Sequence, residues 1–263
     1  MKILFIGDIV GKIGRKAVAA VLPGLRKEHG FDLVIANGEN MAHGSGFTPQ
    51  TAEEVFSSGV DFMTSGNHWA RKSEGVTLFS DPSVPLIRPA NWAGRVPGTG
   101  YRIIEVGATR VAIINLIGQV FMQEQTDHPF HVFDRVLKEI PNGVRIIIVD
   151  YHAEATSEKQ AFGWYADGRV SLVVGTHTHV PTADVRILEQ GTGYITDIGM
   201  SGARDSVIGD VKEVRVAQFV NQLPAKHDVP ESGDAFVQAI VATVDPITGK
   251  TKSIERLDTR ITV

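Results

Sequence analysis

Short apolar runs rich in β-branched residues alternate with helical patterns through the first two-thirds of the chain. Each run has the length of a strand, and its lack of polar alternation indicates burial on both faces. Strands separated by helices favour parallel βαβ units with the helices covering the sheet. The sequence therefore predicts an α/β fold. The six predicted strands are Ile3–Ile6, Leu33–Ala36, Phe62–Thr64, Val111–Asn115, Ile146–Val149 and Leu172–Val174.

Four segments between these strands carry helical periodicity. Thr48 provides an N-cap side chain directly before Pro49, and proline is favourable at the first helical position because its missing N–H would have no partner there. Pro23 lies inside the first helix, which we expect it to kink or split. The predicted helices are about Arg15 to His29, Pro49 to Ser58, His131 to Ile140 and Ser157 to Ala166.

The last third of the chain changes character. From about Ala183 the pattern is that of strands without intervening helices, and the weak periodicity from Ser201 to Asp234 predicts a long surface excursion. Phe236–Val244 and Ser253–Leu257 flank a turn that contains glycine, which predicts a hairpin. Since no repeat or linker marks a boundary, we expect residues 1–263 to form a single domain.

The composition excludes several classes of protein. The 263 residues include no cysteine, so disulfides, thiolate metal sites and a cysteine nucleophile are all absent. Any metal must be held by His, Asp, Glu, Asn or backbone oxygen. A hydrophobic content of 43% supports a sizeable core and excludes a disordered chain. With a net charge of −4, neither duplex DNA nor an anionic membrane is expected as a partner.

The N-terminal segment is apolar but does not have the pattern of a signal peptide. Gly7 and Asp8 interrupt the apolar run before an h-region can form. No stretch approaches the roughly 18 apolar residues that span a bilayer. We therefore expect a cytoplasmic protein.

A residue of metal-binding type follows five of the predicted strands, in most cases beside glycine. In a parallel sheet these carboxyl ends converge on one crevice where ligands bind. The neighbouring glycines let the backbone turn sharply and approach the site closely. We expect the side chains to meet in a single site. The five segments are Gly7-Asp8, Asn37-Gly38-Glu39-Asn40, Ser65-Gly66-Asn67-His68, Asp150-Tyr151-His152 and Gly175-Thr176-His177-Thr178-His179.

The number of donors predicts two metal ions. The candidate ligands in these segments are two carboxylates (Asp8 and Glu39), two amides (Asn40 and Asn67) and up to four imidazoles. One octahedral ion uses at most about six ligands and keeps some positions for water. Two ions that share a carboxylate fit this count, and Glu39, after a middle strand, is the natural bridge. His177 and His179 are two residues apart, so in an extended segment both rings leave one face and can serve different ions.

Each signal also has a common structural explanation when taken alone. An Asp after a first strand is often a helix cap, and Asn–Gly pairs are frequent in turns. The glycines of residues 7–14 are not spaced as in a dinucleotide fingerprint, and Asp8 would repel a pyrophosphate. Barrel amidohydrolases use His-x-His after their first strand, not near residue 178. The combination of five segments in this order is what favours a metal site.

The order of these motifs resembles the calcineurin-like metallophosphoesterase superfamily. Three departures distinguish this chain: no His stands two residues after Asp8, Glu39 stands where Asp is usual, and Trp69 stands where an acid usually follows Gly-Asn-His. These departures resemble the YmdB-type branch, whose members are described as 2′,3′-cyclic-nucleotide 2′-phosphodiesterases. The segments 44–48 and 196–200 resemble that branch as well.

The resemblance implies a sandwich of two mixed β-sheets flanked by helices, with a site for two metal ions, iron or manganese. It implies that a hydroxide bridging the ions attacks cyclic nucleotides, 2′,3′-cyclic and also 3′,5′-cyclic. His68 would carry no metal and would protonate the departing ribose oxygen as general acid. The implied ligands are Asp8, Glu39, Asn40 and His179 for one ion and Glu39, Asn67, His152 and His177 for the other.

Other functions stay open. A phosphomonoesterase or a nuclease would use the same site. An alternative from a different function class is a non-catalytic scaffold that binds a protein partner. No Arg or Lys lies in the five segments, which favours diesters because a phosphate dianion is commonly held by such groups. The expected partner is a small nucleotide or another phosphodiester, and homo-oligomerisation is left open.

Two features are candidates for holding that substrate. The loop Gly44–Gly46 offers backbone N–H groups next to Glu39. Aromatic side chains stack on bases, although buried aromatic residues more often belong to the core. The aromatic candidates are Trp69, Trp92, Trp164 and Phe130.

Overall fold

The computed structural model describes residues 1–263, and helices alternate with strands through the first two-thirds of the chain. The helix Pro49–Ser57 begins as predicted, because Thr48 Oγ1 accepts the Thr51 N–H at 3.1 Å. No helix combines the length and the apolar character that crossing a membrane requires. The helices are α1 (Gly11–His29), α2 (Pro49–Ser57), α3 (Ser73–Ser80), α4 (Pro129–Glu139), α5 (Thr156–Ala166) and α6 (Lys212–Asn221).

The strands form two large mixed sheets and one separate pair, which confirms the predicted two-sheet architecture. All six predicted strands are present, and most extend beyond their predicted ends. In chain order the strands are β1 (Lys2–Ile6), β2 (Asp8–Ile9), β3 (Leu33–Asn37), β4 (Phe62–Thr64), β5 (Tyr101–Val106), β6 (Thr109–Ile117), β7 (Ile146–His152), β8 (Leu172–Thr176), β9 (Arg186–Ile187), β10 (Gly193–Ile195), β11 (Met200–Ala203), β12 (Ser206–Val207), β13 (Asp210–Val211), β14 (Asp234–Val244) and β15 (Thr251–Thr262).

Each large sheet has a parallel centre. In the first sheet β1, β3 and β4 are parallel neighbours, and β14 pairs antiparallel with β1 on its other side. In the second sheet β6, β7, β8 and β10 are parallel neighbours, and the antiparallel strands β5 and β9 form its two edges. The predicted C-terminal hairpin is present as β14 and β15, which pair along almost their whole length.

Alternate residues of β1 face different layers of the core. Leu4 and Ile6 belong to an apolar cluster shared with α1 and α2, whereas Ile3 and Phe5 belong to a cluster shared with the second sheet. A third cluster lies between the second sheet and helices α4 and α5. The layers therefore stack in the order helix, sheet, sheet, helix. Burial on both faces explains why the predicted strands show no polar alternation.

Helix α1 differs from its prediction in two respects. It begins at Gly11 instead of Arg15, and it continues through Pro23 without a break. Pro23 cannot donate to the Ala19 carbonyl, but both residues are exposed, so water can satisfy that carbonyl. Leu22, fully buried beside the proline, holds the opposite side of the helix against the core.

The last third of the chain contains a helix that the sequence did not predict. The segment from Ser201 to Asp234 includes most of β11, the pair β12–β13 and helix α6, so the prediction of an irregular excursion is wrong for much of it. Helix α6 buries only Arg215. Without an apolar face directed at a core, the helix leaves no periodic signal in the sequence. Helix α3 and strand β5 were also not predicted.

Candidate metal centre

The residues expected at the strand ends meet at one edge of the sandwich, and both sheets contribute. Asp8 and Glu39 follow β1 and β3 of the first sheet, whereas His152 ends β7 and His177 follows β8 of the second. His152 Nε2 lies 3.3 Å from Glu39 Oε1, and the His177 N–H donates to Asp8 Oδ2 at 3.2 Å. These contacts join the two sheets at a single polar cluster, as the motif order led us to expect.

Glu39 lies in the middle of this cluster and is fully buried. Its Oε1 is 3.3 Å from His68 Nδ1, and its Oε2 accepts the His68 N–H at 3.0 Å. Glu39, His152 and His177 bring potential ligand atoms within 4.8 Å of one another. A carboxylate and two imidazoles at this spacing can hold a metal ion.

Asn40 joins His68 to His179. Asn40 Oδ1 lies 2.7 Å from His68 Nδ1, and Asn40 Nδ2 lies 3.0 Å from His179 Nε2. His179 Nδ1 lies 2.7 Å from the Ile208 carbonyl, to which it donates, so His179 Nε2 is the lone-pair nitrogen of the neutral ring. His68 Nδ1 is engaged by Asn40, which leaves His68 Nε2 as the nitrogen available to a ligand.

Thr176 and Asp150 orient His152 from behind. The Thr176 hydroxyl donates to Asp150 Oδ1 at 2.7 Å and lies 2.8 Å from His152 Nδ1. Since its single proton is used, the hydroxyl accepts from Nδ1–H, and Nε2 of the neutral ring carries the lone pair. That nitrogen lies 3.0 Å from Asn67 Oδ1 and 3.1 Å from His177 Nδ1. Thr176 and Asp150 stand in the predicted segments, but the sequence did not reveal this arrangement.

Asp8 shows most directly that a cation fits this cluster. The residue is fully buried, and its Oδ1 has no hydrogen-bond partner. Burial raises the pKa of Asp8 to about 7, although His179 and His152 act in the opposite direction. No Lys or Arg forms an ion pair with Asp8 or Glu39. Buried carboxylates without a partner are costly, so the donor set suits a metal ion.

The electrostatics favour an ionised Glu39. Burial opposes its charge, but His152 and His68 outweigh burial and hold the pKa of Glu39 well below its usual range. Burial lowers the pKa of His152, but Glu39 outweighs it and raises that pKa to about 9. A cation bound between the two would replace the imidazolium proton, because histidine binds metals only as neutral imidazole.

Burial also acts on His177 and His68. Burial, assisted by repulsion from His152, lowers the pKa of His177 to about 3. Burial also lowers the pKa of His68, with Glu39 acting against it. His177 is therefore neutral over the physiological pH range, as a metal ligand must be.

His177 and His179 reach different parts of the cluster, but not as their spacing predicted. Strand β8 ends at Thr176, and the two histidines have φ values of 99° and 64°. This left-handed backbone forms a turn, so the prediction of an extended His-x-His segment is wrong. His177 Nδ1 contacts His152, whereas His179 Nε2 contacts Asn40.

A buried ion pair supports this turn, and sequence reasoning missed it. Asp197 Oδ2 accepts the Thr178 N–H at 3.2 Å, the Thr178 hydroxyl at 2.7 Å and Lys159 Nζ at 2.6 Å. Asp197 and Lys159 are 0% and 1% exposed. Residues 196–200 carried a signal only through the family resemblance. Lys159 carried none, because lysine in a helix between strands is ordinarily exposed.

Glycine is required at position 66 of the metal centre. A Cβ on Gly66 would collide with Glu39 Oε2 and His152 Nε2, so glycine permits their close approach.

In the loop expected to hold substrate, the Gly46 N–H donates to the Glu39 carbonyl and the Ser45 N–H to the Ala42 carbonyl. These two N–H groups are therefore not free to bind a phosphate oxygen.

A cavity of about 130 Å³ opens onto the cluster, and we call it the phosphate cavity. Ile208 and Val229 belong to its lining. The segment from Ser201 to Asp234 therefore forms a wall of the site, which its weak periodicity did not suggest. The cluster residues that line the cavity are Glu39, Asn40, His68, His177 and His179.

The chain is similar to phosphoesterases along nearly its whole length. It matches the model of the YmdB-like protein family over residues 4–257. It is 43% identical to a 2′,3′-cyclic-nucleotide 2′-phosphodiesterase of Bacillus subtilis (strain 168), over 98% of this chain and 96% of the relative.

Solved structures share the fold. One described as a novel phosphatase, from Mycoplasma pneumoniae, is 36% identical and superposes with a TM-score of 0.91, covering 100% of this chain and 93% of that one. A 5′-nucleotidase structure from Staphylococcus aureus, at 16% identity and a TM-score of 0.61, covers 98% of this chain and 54% of that one. The second likeness concerns the fold alone. Together the two structures confirm the predicted two-sheet α/β sandwich.

Proposed function

Since the chain belongs to the YmdB-like protein family, we propose that it is a two-metal phosphodiesterase that hydrolyses 2′,3′-cyclic nucleotides and also accepts 3′,5′-cyclic nucleotides. The Bacillus subtilis relative is named for the first of these activities. The Mycoplasma pneumoniae structure is described as a phosphatase, so a monoester substrate is the competing proposal.

The observation that carries the metal site is that Asp8 and Glu39 are buried together without a Lys or Arg partner. Both carboxylates are fully buried, and their only ion-pair partners are histidines. Amide and imidazole donors surround them, with no thiolate. This set is suited to iron or manganese. Two cations would compensate the carboxylates and keep a positive site that attracts an anionic phosphodiester.

The contacts support a division of the donors into two groups that share Glu39. Asn40 and His179 are in contact at 3.0 Å. His152 lies 3.0 Å from Asn67 and 3.1 Å from His177. On these contacts we assign Glu39, Asn40 and His179 to one ion and Glu39, Asn67, His152 and His177 to the other. Asp8 is assigned to the first ion because the family resemblance implies it.

The chain's own residues orient the substrate and move a proton. The bound metals would supply Lewis acidity, which lowers the pKa of water and stabilises the negative charge of the transition state. Asn40 holds His68 Nδ1, so that His68 Nε2 is directed to the ligand. As the imidazolium, with a proton on each ring nitrogen, His68 donates its Nε2 proton to the departing ribose oxygen and becomes the neutral imidazole. Asp150 and Thr176 hold His152 in the tautomer that leaves Nε2 free.

The test is metal analysis of protein purified without chelator, together with kcat/KM for an aryl monoester, an aryl diester and cyclic nucleotides under one metal condition. We expect two ions per chain and a preference for diesters, with 2′,3′-cyclic nucleotides among the better substrates. Glu39→Gln should lose metal and activity together, whereas Glu189→Gln, at an exposed position, should lose neither. A preference for the monoester would replace the diesterase assignment, and two retained ions in Glu39→Gln would remove its bridging role.

A further inference from the structure

A second cavity adjoins the metal centre on the side of the loop between β6 and α4, and we call it the side pocket. Its volume is about 250 Å³. Asn67, His68 and His177 line it, and the last two also line the phosphate cavity. The two cavities therefore adjoin each other at His68 and His177. A substrate with its phosphate at the metals can extend into the side pocket.

Phe121 gives the side pocket an apolar surface that the fold does not otherwise use. The ring is 84% exposed, although phenylalanine is normally buried. Its backbone has a φ of 63°, a left-handed conformation that is rare for a bulky residue. Exposed apolar surface and backbone strain both cost free energy, and such costs concentrate at binding sites.

Hydrogen bonds hold the loop that carries Phe121 at both ends. The N–H groups of Gln119 and Val120 donate to the Glu158 carboxylate at 2.9 and 3.2 Å. Further along, the Asp127 N–H donates to the Asn91 carbonyl at 2.8 Å. The two ends of the loop are therefore held in place, and Phe121 stands directly after the first of them.

Apart from Met122, the rest of the lining is polar. Met122 extends the apolar surface, while Gln123 and Glu124 add an amide and a carboxylate, and Arg71 adds a cation. An amide and a carboxylate can pair with the N–H and C=O groups at the edge of a nucleobase. A flat aromatic surface with hydrogen-bonding groups beside it matches a base better than it matches a second phosphate.

The aromatic residues suggested by the sequence do not provide this surface. Trp69 is 2% exposed and packs edge to face on Phe79 and Trp92. Trp164 is half exposed but lies beside Arg186, and it lines neither cavity. Only Phe121 combines an exposed ring with a place beside the metal centre.

We propose that the side pocket binds the nucleobase of the substrate, which stacks on Phe121 while Gln123 and Glu124 contact its polar edge. The inference rests on the proposed cyclic-nucleotide activity. It adds Phe121 as the residue through which the enzyme prefers nucleotides to phosphodiesters that have no base. Stacking on an aromatic ring accepts any base, so purine and pyrimidine nucleotides should both depend on Phe121.

The experiment compares adenosine 2′,3′-cyclic phosphate with ethylene phosphate, a five-membered cyclic diester that has no base. In Phe121→Ala, kcat/KM for the nucleotide should fall about 5- to 150-fold, mainly through KM, which is the range for loss of one stacked base. Ethylene phosphate should be affected less than about 2-fold. Phe121→Trp should retain nucleotide activity. The control Phe219→Ala removes a ring that is 75% exposed on α6 and lines neither cavity, and it should change neither substrate.

A binding measurement separates this inference from the proposed function. Adenosine 3′-monophosphate is titrated calorimetrically into the metal-loaded wild type and Phe121→Ala, whether or not either protein turns over a cyclic nucleotide. Weaker binding in Phe121→Ala supports the side pocket even if wild-type hydrolysis is absent and the proposed activity fails. Equal binding by the two proteins, or an equal loss of activity on both substrates, would overturn the inference.

Discussion

Single hydrogen bonds fix which atom faces the metal centre in three of the four imidazoles, those of His68, His152 and His179. Thr176 holds His152 Nδ1, the Ile208 carbonyl holds His179 Nδ1, and Asn40 holds His68 Nδ1. In each ring Nε2 is left for a ligand. Ligands held in this way lose little freedom when a metal or substrate binds, so the residues behind the centre contribute to its affinity.

Substitution of His68 should reduce turnover without loss of metal, whereas substitution of a proposed ligand should reduce both. His68→Ala should keep near wild-type metal content and lose about two to four orders of magnitude in kcat, the usual scale for a general acid. The loss should be smaller for diesters with acidic leaving groups, because these depart without a proton.

Metal analysis and kcat for leaving groups of graded pKa provide the check. His131→Ala, at an exposed position on α4, is the matched control and should behave as wild type. Loss of a metal ion in His68→Ala would instead make His68 a ligand.

At the scale of elements, the turn after β8 depends on the segment after β10. Asp197 accepts from Thr178 in the turn and from Lys159 of α5, and its Oδ1 accepts the Gly199 N–H at 2.8 Å. One buried carboxylate thus connects a helix, the His-x-His turn and its own backbone. Its charge is compensated only by Lys159.

Asp197→Asn should destabilise the protein strongly, because it leaves the Lys159 ammonium buried without a counter-charge. Loss of one partner of a buried pair costs on the order of 3–5 kcal/mol in the free energy of unfolding. Urea unfolding at a fixed metal concentration measures the effect. Asp205→Asn breaks an exposed pair with Arg204 and should change little. Similar unfolding midpoints for the two variants would show that the buried pair does not stabilise the turn.

At the scale of the whole molecule, the two sheets share one apolar layer. Ile3 and Phe5 of β1 pack in the same cluster as Ile113 of β6 and Ile148 of β7. Strand β14, near the C-terminus, lies beside β1, near the N-terminus. Separating the sheets would expose this layer to water, so neither sheet keeps a complete core alone.

The shared layer predicts one cooperative unfolding transition. Trp69 and Trp92 pack with the cluster of the first sheet, whereas Trp164 lies on α5 beside the second. Fluorescence of Trp164→Phe and of the double variant Trp69→Phe/Trp92→Phe therefore reports the two sides separately. Within each variant, the fluorescence curve should coincide with far-ultraviolet circular dichroism. A separate midpoint for either side would divide the chain into two domains.

The sequence by itself determined six strands in the first two-thirds of the chain and the residues that meet at their ends. Both follow from local rules: apolar runs form buried strands, and the carboxyl ends of parallel strands open at one edge. Asp8, Glu39 and His152 were found in this way because each follows or ends a strand with a clear apolar signal.

Only the tertiary structure decided which residues support the metal centre and which line the adjacent side pocket. Asp197 contacts Thr178 and Lys159 from elements far apart in the chain, and no periodic pattern encodes such pairings. Phe121 stands alone in a loop, where sequence does not distinguish an exposed ring from a buried one. The left-handed turn of His177 and His179 is likewise decided by contacts across the fold, since a positive φ is uncommon for any residue other than glycine.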